Sequence, residues 1–218
     1  MKADEVRDKV VVLSWHVDYW NRLGWKDSFS DKAYTARQKA YIPKLGTRGL
    51  VTPQILVANA RVTKEWGEKI TAEGAKPARV TVTAELELSP GKLAAEIRLA
   101  EPTLKLPPTA VVRAVLFQKE AVTKVTAGEN AGKMLKEFFV VRQALDPIAA
   151  VIALEGPVKI EFALPKDVKT MNLGLAVLVE DPKKMTTLEA AVYDLPDEPD
   201  EPVDEPDELR DEGVDQGE

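Results

Sequence analysis

Cysteine is absent from all 218 residues, and histidine occurs once, at His16. Without thiols the chain has no disulfide, no thiolate metal site and no thiol nucleophile of its own. A single imidazole excludes a multi-histidine metal centre. Aromatic residues are scarce at 6%, yet three of the four tryptophans fall between Trp15 and Trp25. No apolar run approaches the roughly 20 residues that span a bilayer. The first residues, Met1-Lys2-Ala3-Asp4-Glu5, carry acids and no apolar stretch, so no signal peptide reads there. Lys and Arg are scattered rather than clustered, and no aromatic platform lies among them. Nucleic-acid binding is therefore not expected. No cofactor is expected either.

The net charge of −6 hides an asymmetry. Residues 194–218 hold thirteen acids against Arg210 alone, a charge of −12, which leaves +6 on the first 193 residues. That tail cycles through Asp, Glu and Pro and has little to bury, so it reads as disordered. It has no regular calcium-loop spacing, and solvation is its expected role.

The nearly continuous β-branched run over residues 9–13 reads as a strand buried on both faces, of the kind found in parallel sheets covered by helices. An aromatic, polar loop follows. Ser30 or Asp31 can cap a helix reaching Leu45, with Gly46 as its left-handed stop and Pro43 bending its last turn. Tyr34, Arg37 or Gln38, Tyr41 and Leu45 share a face. A second strand is expected over residues 51–58, begun at Thr52-Pro53, and a short strand and helix over residues 61–70. A linker at residues 74–77 sets a boundary between units 1–76 and 77–193.

Beyond that boundary the period becomes two. Residues 80–88 alternate cleanly, and Ser89-Pro90-Gly91-Lys92 is a hairpin turn. Short strands are expected over residues 93–99, 110–118, 121–126, 158–164, 173–180 and 187–193. Residues 135–145 are compatible with strand or helix. The overall expectation is an α+β chain whose second unit is an antiparallel β-sandwich-like domain.

Four motifs carry a resemblance. They are Ser-Trp-His-Val-Asp-Tyr-Trp-Asn-Arg-Leu-Gly over residues 14–24 with Trp25-Lys26-Asp27; Tyr34-Thr35-Ala36-Arg37-Gln38-Lys39-Ala40-Tyr41; Arg48-Gly49-Leu50-Val51-Thr52-Pro53-Gln54; and Gly128-Glu129-Asn130-Ala131-Gly132-Lys133 followed by Val140-Val141-Arg142. In this order they closely resemble the bacterial family called domain of unknown function 1223. The likeness spans roughly residues 9–193. It implies a thioredoxin-like fold for residues 1–76, a secreted or periplasmic location, and a thiol-disulfide or metal-delivery role in cysteine-bearing relatives.

Members of that family ordinarily start with a strand, a Cys-x-x-Cys-Pro-Pro turn and a helix, upstream of the position of Val10. Here only an octet compatible with the last turn of such a helix precedes the first strand. The resemblance thus implies an N-terminally incomplete unit. Either the true start lies upstream, another segment fills the gap, or this half leans on the second unit.

In such a fold His16, Asp18, Tyr19, Trp20, Thr52, Pro53 and Gln54 would converge on one edge, with Trp25 in the same aromatic loop. The Thr52-Pro53 bond would be cis and the Thr52 backbone open to an extended peptide. These eight residues are the candidate binding set, and a peptide or protein is the candidate partner. No catalytic residue and no metal ligand is assigned. His16 would share a strand face with Asp18 and could shuttle a proton or weakly bind a metal with it, or tune redox chemistry in full-length relatives, against the plainer reading of an imidazole bonded to a backbone group. The tryptophans read first as packing, Asp27 and Asp31 as helix caps, and Arg37 as a partner for Asp18 or Asp27. The 128–132 motif reads as a turn, because it lacks the spacing and the Lys-Ser/Thr ending of a phosphate loop.

Overall fold

The computed structural model describes residues 10–196, so the expected disorder of the acidic tail falls almost wholly outside the described residues. Within them the fold is mixed α/β, with three α-helices and mostly antiparallel sheets.

Helix α1 (Lys32–Leu45) starts where Asp31 accepts a 2.7 Å hydrogen bond from the Ala33 amide, and stops at Gly46, whose φ is 60°. Its buried side is polar: Tyr34, Thr35, Gln38 and Tyr41. Strands β1 (Ile55–Val57) and β2 (Ala60–Val62) form a hairpin, and helix α2 (Trp66–Gly74) follows. The hairpin turn is Ala58-Asn59, both with positive φ, which suits the twist of the flanking strands. The single strand expected over residues 51–58 is shorter at both ends: residues 51–54, with the cis Thr52-Pro53 bond, stay outside the ladder, and the Ala58-Asn59 turn ends it.

Strands β3 (Thr81–Ser89) and β4 (Lys92–Ala100) meet through the Pro90-Gly91 turn. Next come β5 (Val111–Lys124), β6 (Met134–Ala144), β7 (Ile148–Ala149), helix α3 (Ala150–Glu155), β8 (Val158–Ala163), β9 (Leu173–Asp181) and β10 (Thr186–Asp194). One sheet has the order β3-β4-β8. The other runs β10-β9-β5-β6, with β7 also on β5. The ambiguous 135–145 segment is the strand β6, and the two short strands expected at 110–126 are one, β5.

Alternation explains how the five-stranded sheet serves two partners. Val112, Ala114 and Leu116 of β5, with Leu173, Leu175, Val177 and Val179 of β9, share a core with Leu93, Ile97, Leu99, Ile160 and Phe162 of the smaller sheet. The opposite face presents Val115, Phe117, Val141, Ala176 and Leu178 to Tyr34 of α1, with Val11, Leu13 and Trp15 packed beside it. Strand β9 is consequently buried at every position.

Residues 10–13 are not a regular strand, contrary to the sequence reading, and Val12 is 45% exposed. Only Ser14 joins a ladder, in a parallel bridge with Val140. Its amide bonds the Phe139 carbonyl at 2.7 Å, and the Val141 amide bonds the Ser14 carbonyl at 3.0 Å. Phe139 has φ of 53°, a local departure from strand geometry that limits regular pairing along β6. The N-terminal half therefore rests on the large sheet mainly through side chains, by packing and by polar links such as Arg37 to Glu180 and Asn59 to Thr187, with this one backbone bridge beside them.

Candidate functional site

The aromatic loop is held by side chains that bond one another. His16 Nδ1 lies 2.6 Å from Asp27 Oδ2, and Asp27 Oδ1 accepts the Phe29 amide at 2.9 Å. Asn21 ties the same corner twice: its Oδ1 accepts the Asp27 amide at 3.1 Å, and its Nδ2 donates to Ser30 Oγ at 2.9 Å. The backbone closes the loop, since the Asp31 amide donates to the His16 carbonyl. Phe29 packs edge-on against the imidazole, with ring centres 5.6 Å apart.

Asp18 faces a different group from His16. Its carboxylate accepts the Thr35 hydroxyl at 2.6 Å, while its amide donates back to Thr35 Oγ1 at 3.0 Å. Neither the backbone-bonded reading of His16 nor its alternative pairing with Asp18 describes the ring, which meets the Asp27 carboxylate. Residues 16–18 do not form a continuous strand, and α1 supplies Thr35 to Asp18. Trp20 Nε1 donates to Thr52 Oγ1 at 2.9 Å, and Tyr19 packs against Trp20 at 5.2 Å. The Thr52-Pro53 bond is cis. Gln54 is half-buried just before β1. Among the described residues, the Tyr19 hydroxyl is buried without a hydrogen-bond partner. Trp25 is half-buried against Gly128, which turns the 128–132 motif, with φ of 75°, into a support for the aromatic loop.

The eight candidates therefore fall into separate bonded groups. Trp20 meets Thr52, Asp18 meets Thr35 and His16 meets Asp27. No hydrogen bond among the described residues joins His16 or Asp18 to Thr52, Pro53 or Gln54. Asp31 caps α1 as expected, whereas Asp27 belongs to the histidine. Arg37 pairs with neither loop aspartate. It crosses to Glu180 of β9, and its guanidinium lies 4.8 Å above the Trp15 ring.

Beside the histidine lies a shallow cleft of about 570 Å³, lined by Phe29, Gln118, Glu120, Arg142, Asp167 and Asn172. Arg142 stacks 5.2 Å over Phe29 and bonds Gln118 and Asp167. Sequence reasoning missed this assembly. Arg142 and Asp27 both sit inside the quoted motifs, but motif membership says nothing about which loop meets which strand.

Burial of the His16 ring acts to lower its pKa. The bond to Asp27, with the charges of Asp27 and Glu137, outweighs burial and leaves the imidazole above its ordinary 6.5. For Asp27, burial acts upward, and the His16 bond, the Phe29 amide and the His16 charge carry it below its ordinary 3.8. The raised histidine stabilises the fold fully below 6.5, and that contribution fades as pH rises through the folded value. The lowered aspartate stabilises above 3.8, and its share is lost as pH falls through the folded value. The ion pair is therefore complete between pH 3.8 and 6.5. Proton NMR of the sole histidine should titrate above 6.5, and Asp27→Asn should lower that midpoint. An unchanged midpoint in the variant would show that the pair does not set the histidine.

The family described as a protein of unknown function (DUF1223) matches residues 1–180. Among solved structures, protein AGR_C_4864 from Agrobacterium tumefaciens is similar at a TM-score of 0.56 and 22% identity, over 84% of this chain and 80% of that one. HBP35 of Porphyromonas gingivalis is similar at a TM-score of 0.55 and 15% identity, over 75% of this chain and 58% of that one. Both likenesses are of fold. No curated protein matches. By the extent of the family match, the chain belongs to the DUF1223 family.

Proposed function

We propose that this DUF1223 protein is a non-catalytic member of a thioredoxin-like group, in which a thioredoxin-like unit ending near residue 76 is carried on a β-sandwich-like unit of residues 77–193. Its cysteine-bearing relatives would handle thiol-disulfide exchange or metal delivery in a secreted or periplasmic setting. One observation carries the reading: three polar side chains of the motif loop are already spent within the chain, His16 on Asp27 of the same loop, Asp18 on Thr35 of α1 and Trp20 on Thr52. Such a loop braces the chain against the large sheet, and the 218 residues include no sulfur nucleophile to place beside it. The pure chain should leave insulin unreduced when coupled to dithiothreitol, beyond the rate of dithiothreitol alone. Turnover above that rate would overturn the proposal.

A further inference from the structure

We propose that the uncovered face of the β5–β6 hairpin is an interface through which two copies of this chain pair. Strand β5 outruns the smaller sheet. Val112, Ala114 and Leu116 are buried in the shared core, but the strand continues to Lys124, and no sheet among the described residues lies opposite that end. Alternation places Glu120, Val122 and Lys124 on this side, in register with Phe138, Lys136 and Met134. Val122 is 58% exposed, Met134 61% and Phe138 47%, whereas Thr123, Leu135 and Glu137 on the other side are half-buried. Three large apolar side chains grouped on one bare ribbon differ from the scattered exposure expected of a surface.

The pattern of this face fits a second copy of itself. A two-fold axis across the strands, through the Val122–Lys136 pair, reverses the order of residues along the hairpin. That operation sets Val122 against Val122 of the second copy, and Phe138 against its Met134, a sulfur–aromatic contact made twice. It also sets Glu120 against Lys124 of the second copy, again twice. Lys136 falls on the axis and would meet its equivalent, but it is already neutralised by Glu120 at 2.9 Å and lies 5.2 Å over the Phe138 ring. Glu120 would then bridge two lysines, one from each copy. Charge and apolar surface are both self-complementary under one operation, which is the requirement of an isologous dimer.

The absence of cysteine makes the test unambiguous. In the full chain, Val122→Cys should oxidise to a covalent dimer at least roughly tenfold faster than Val151→Cys, because pairing raises the local thiol concentration. Val151 is comparably exposed, at 55%, but lies on α3. Light scattering should give the mass of two chains for the wild type and of one for Glu120→Lys. The double variant Glu120→Lys with Lys124→Glu should recover the dimer, a rescue that a merely structural role for Glu120 would not produce. A wild type that stays single at high micromolar concentration would overturn the proposal, as would equal oxidation of the two cysteines. So would a dimer that survives Glu120→Lys.

Discussion

Replacing Glu180 with alanine is expected to cost about 3–5 kcal/mol of folding stability, because it leaves two guanidinium groups without their anion in a buried site. Glu180 is 5% exposed on β9. It accepts Arg113 Nε at 2.9 Å and Arg37 Nη1 at 3.3 Å, with a closer bond from Arg37 Nη2. Arg37 comes from α1 and Arg113 from β5, so one carboxylate joins the N-terminal half to the large sheet. Surface pairs contribute little, typically about 0–1 kcal/mol. The depth of this cluster places it in the other class. A urea titration giving a loss below about 1 kcal/mol would mean that the cluster is solvated and behaves as a surface pair.

Acidity offers a second reading of the same variant. Burial pushes the Glu180 carboxyl upward, but the bonds and charges of Arg37 and then Arg113 outweigh it, so the group lies below its ordinary 4.5. A depressed carboxyl stabilises the fold above its unfolded value and loses that contribution as pH falls through the folded one. The stability gap between wild type and Glu180→Ala should be constant above pH 4.5 and narrow below it. A gap that persists unchanged in acid would assign the effect to packing of the side chain rather than to its charge.

Arg37 also shows what the sequence could and could not display. Local signals read well where a residue's neighbours along the chain decide its state. Asp31 and Gly46 bound α1 at both ends, and the alternation of residues 80–88 became β3 with its turn at Pro90-Gly91. The acids near Arg37 in sequence looked like its partners, but its anion is 143 positions away. Nothing local marks Glu180, which sits at the end of an apolar strand that reads as core. The same blindness covers residues 10–13. Their β-branched run is what a buried strand requires, yet a strand also needs an edge offering matched carbonyls and amides, and β6 offers one only at Ser14. The partner of His16 is Asp27, fixed by a turn that period-based reading does not resolve. Helix α3 had no counterpart among the expected elements: its six residues are too few to show a helical period.

Gly174→Ala decides between two accounts of a glycine in a central strand. If backbone entropy ruled, alanine should help by about 0.5–1 kcal/mol, since glycine weakens regular structure. Packing predicts the opposite sign. Gly174 sits opposite Phe117 across the β5–β9 ladder, and a Cβ there would fall 2.4 Å from the Phe117 Cζ and 2.7 Å from its Cε1. The ring has little room to retreat, being 4% exposed and 6.3 Å from Phe139. Overpacking of this kind costs about 1–3 kcal/mol. If the clash is the cause, Phe117→Leu should absorb part of it, so the double variant should lose less than the two single losses together. Losses that add within about 0.5 kcal/mol would place the damage outside this contact. Phe139 extends the argument to the N-terminal half, because its carbonyl accepts the Ser14 amide at 2.7 Å. Displacing the Phe117 ring toward Phe139 should therefore speed hydrogen exchange at Ser14 in Gly174→Ala. The Ile97 amide, on the central strand of the smaller sheet with its side chain in the core of the other face, should change only as far as global stability falls.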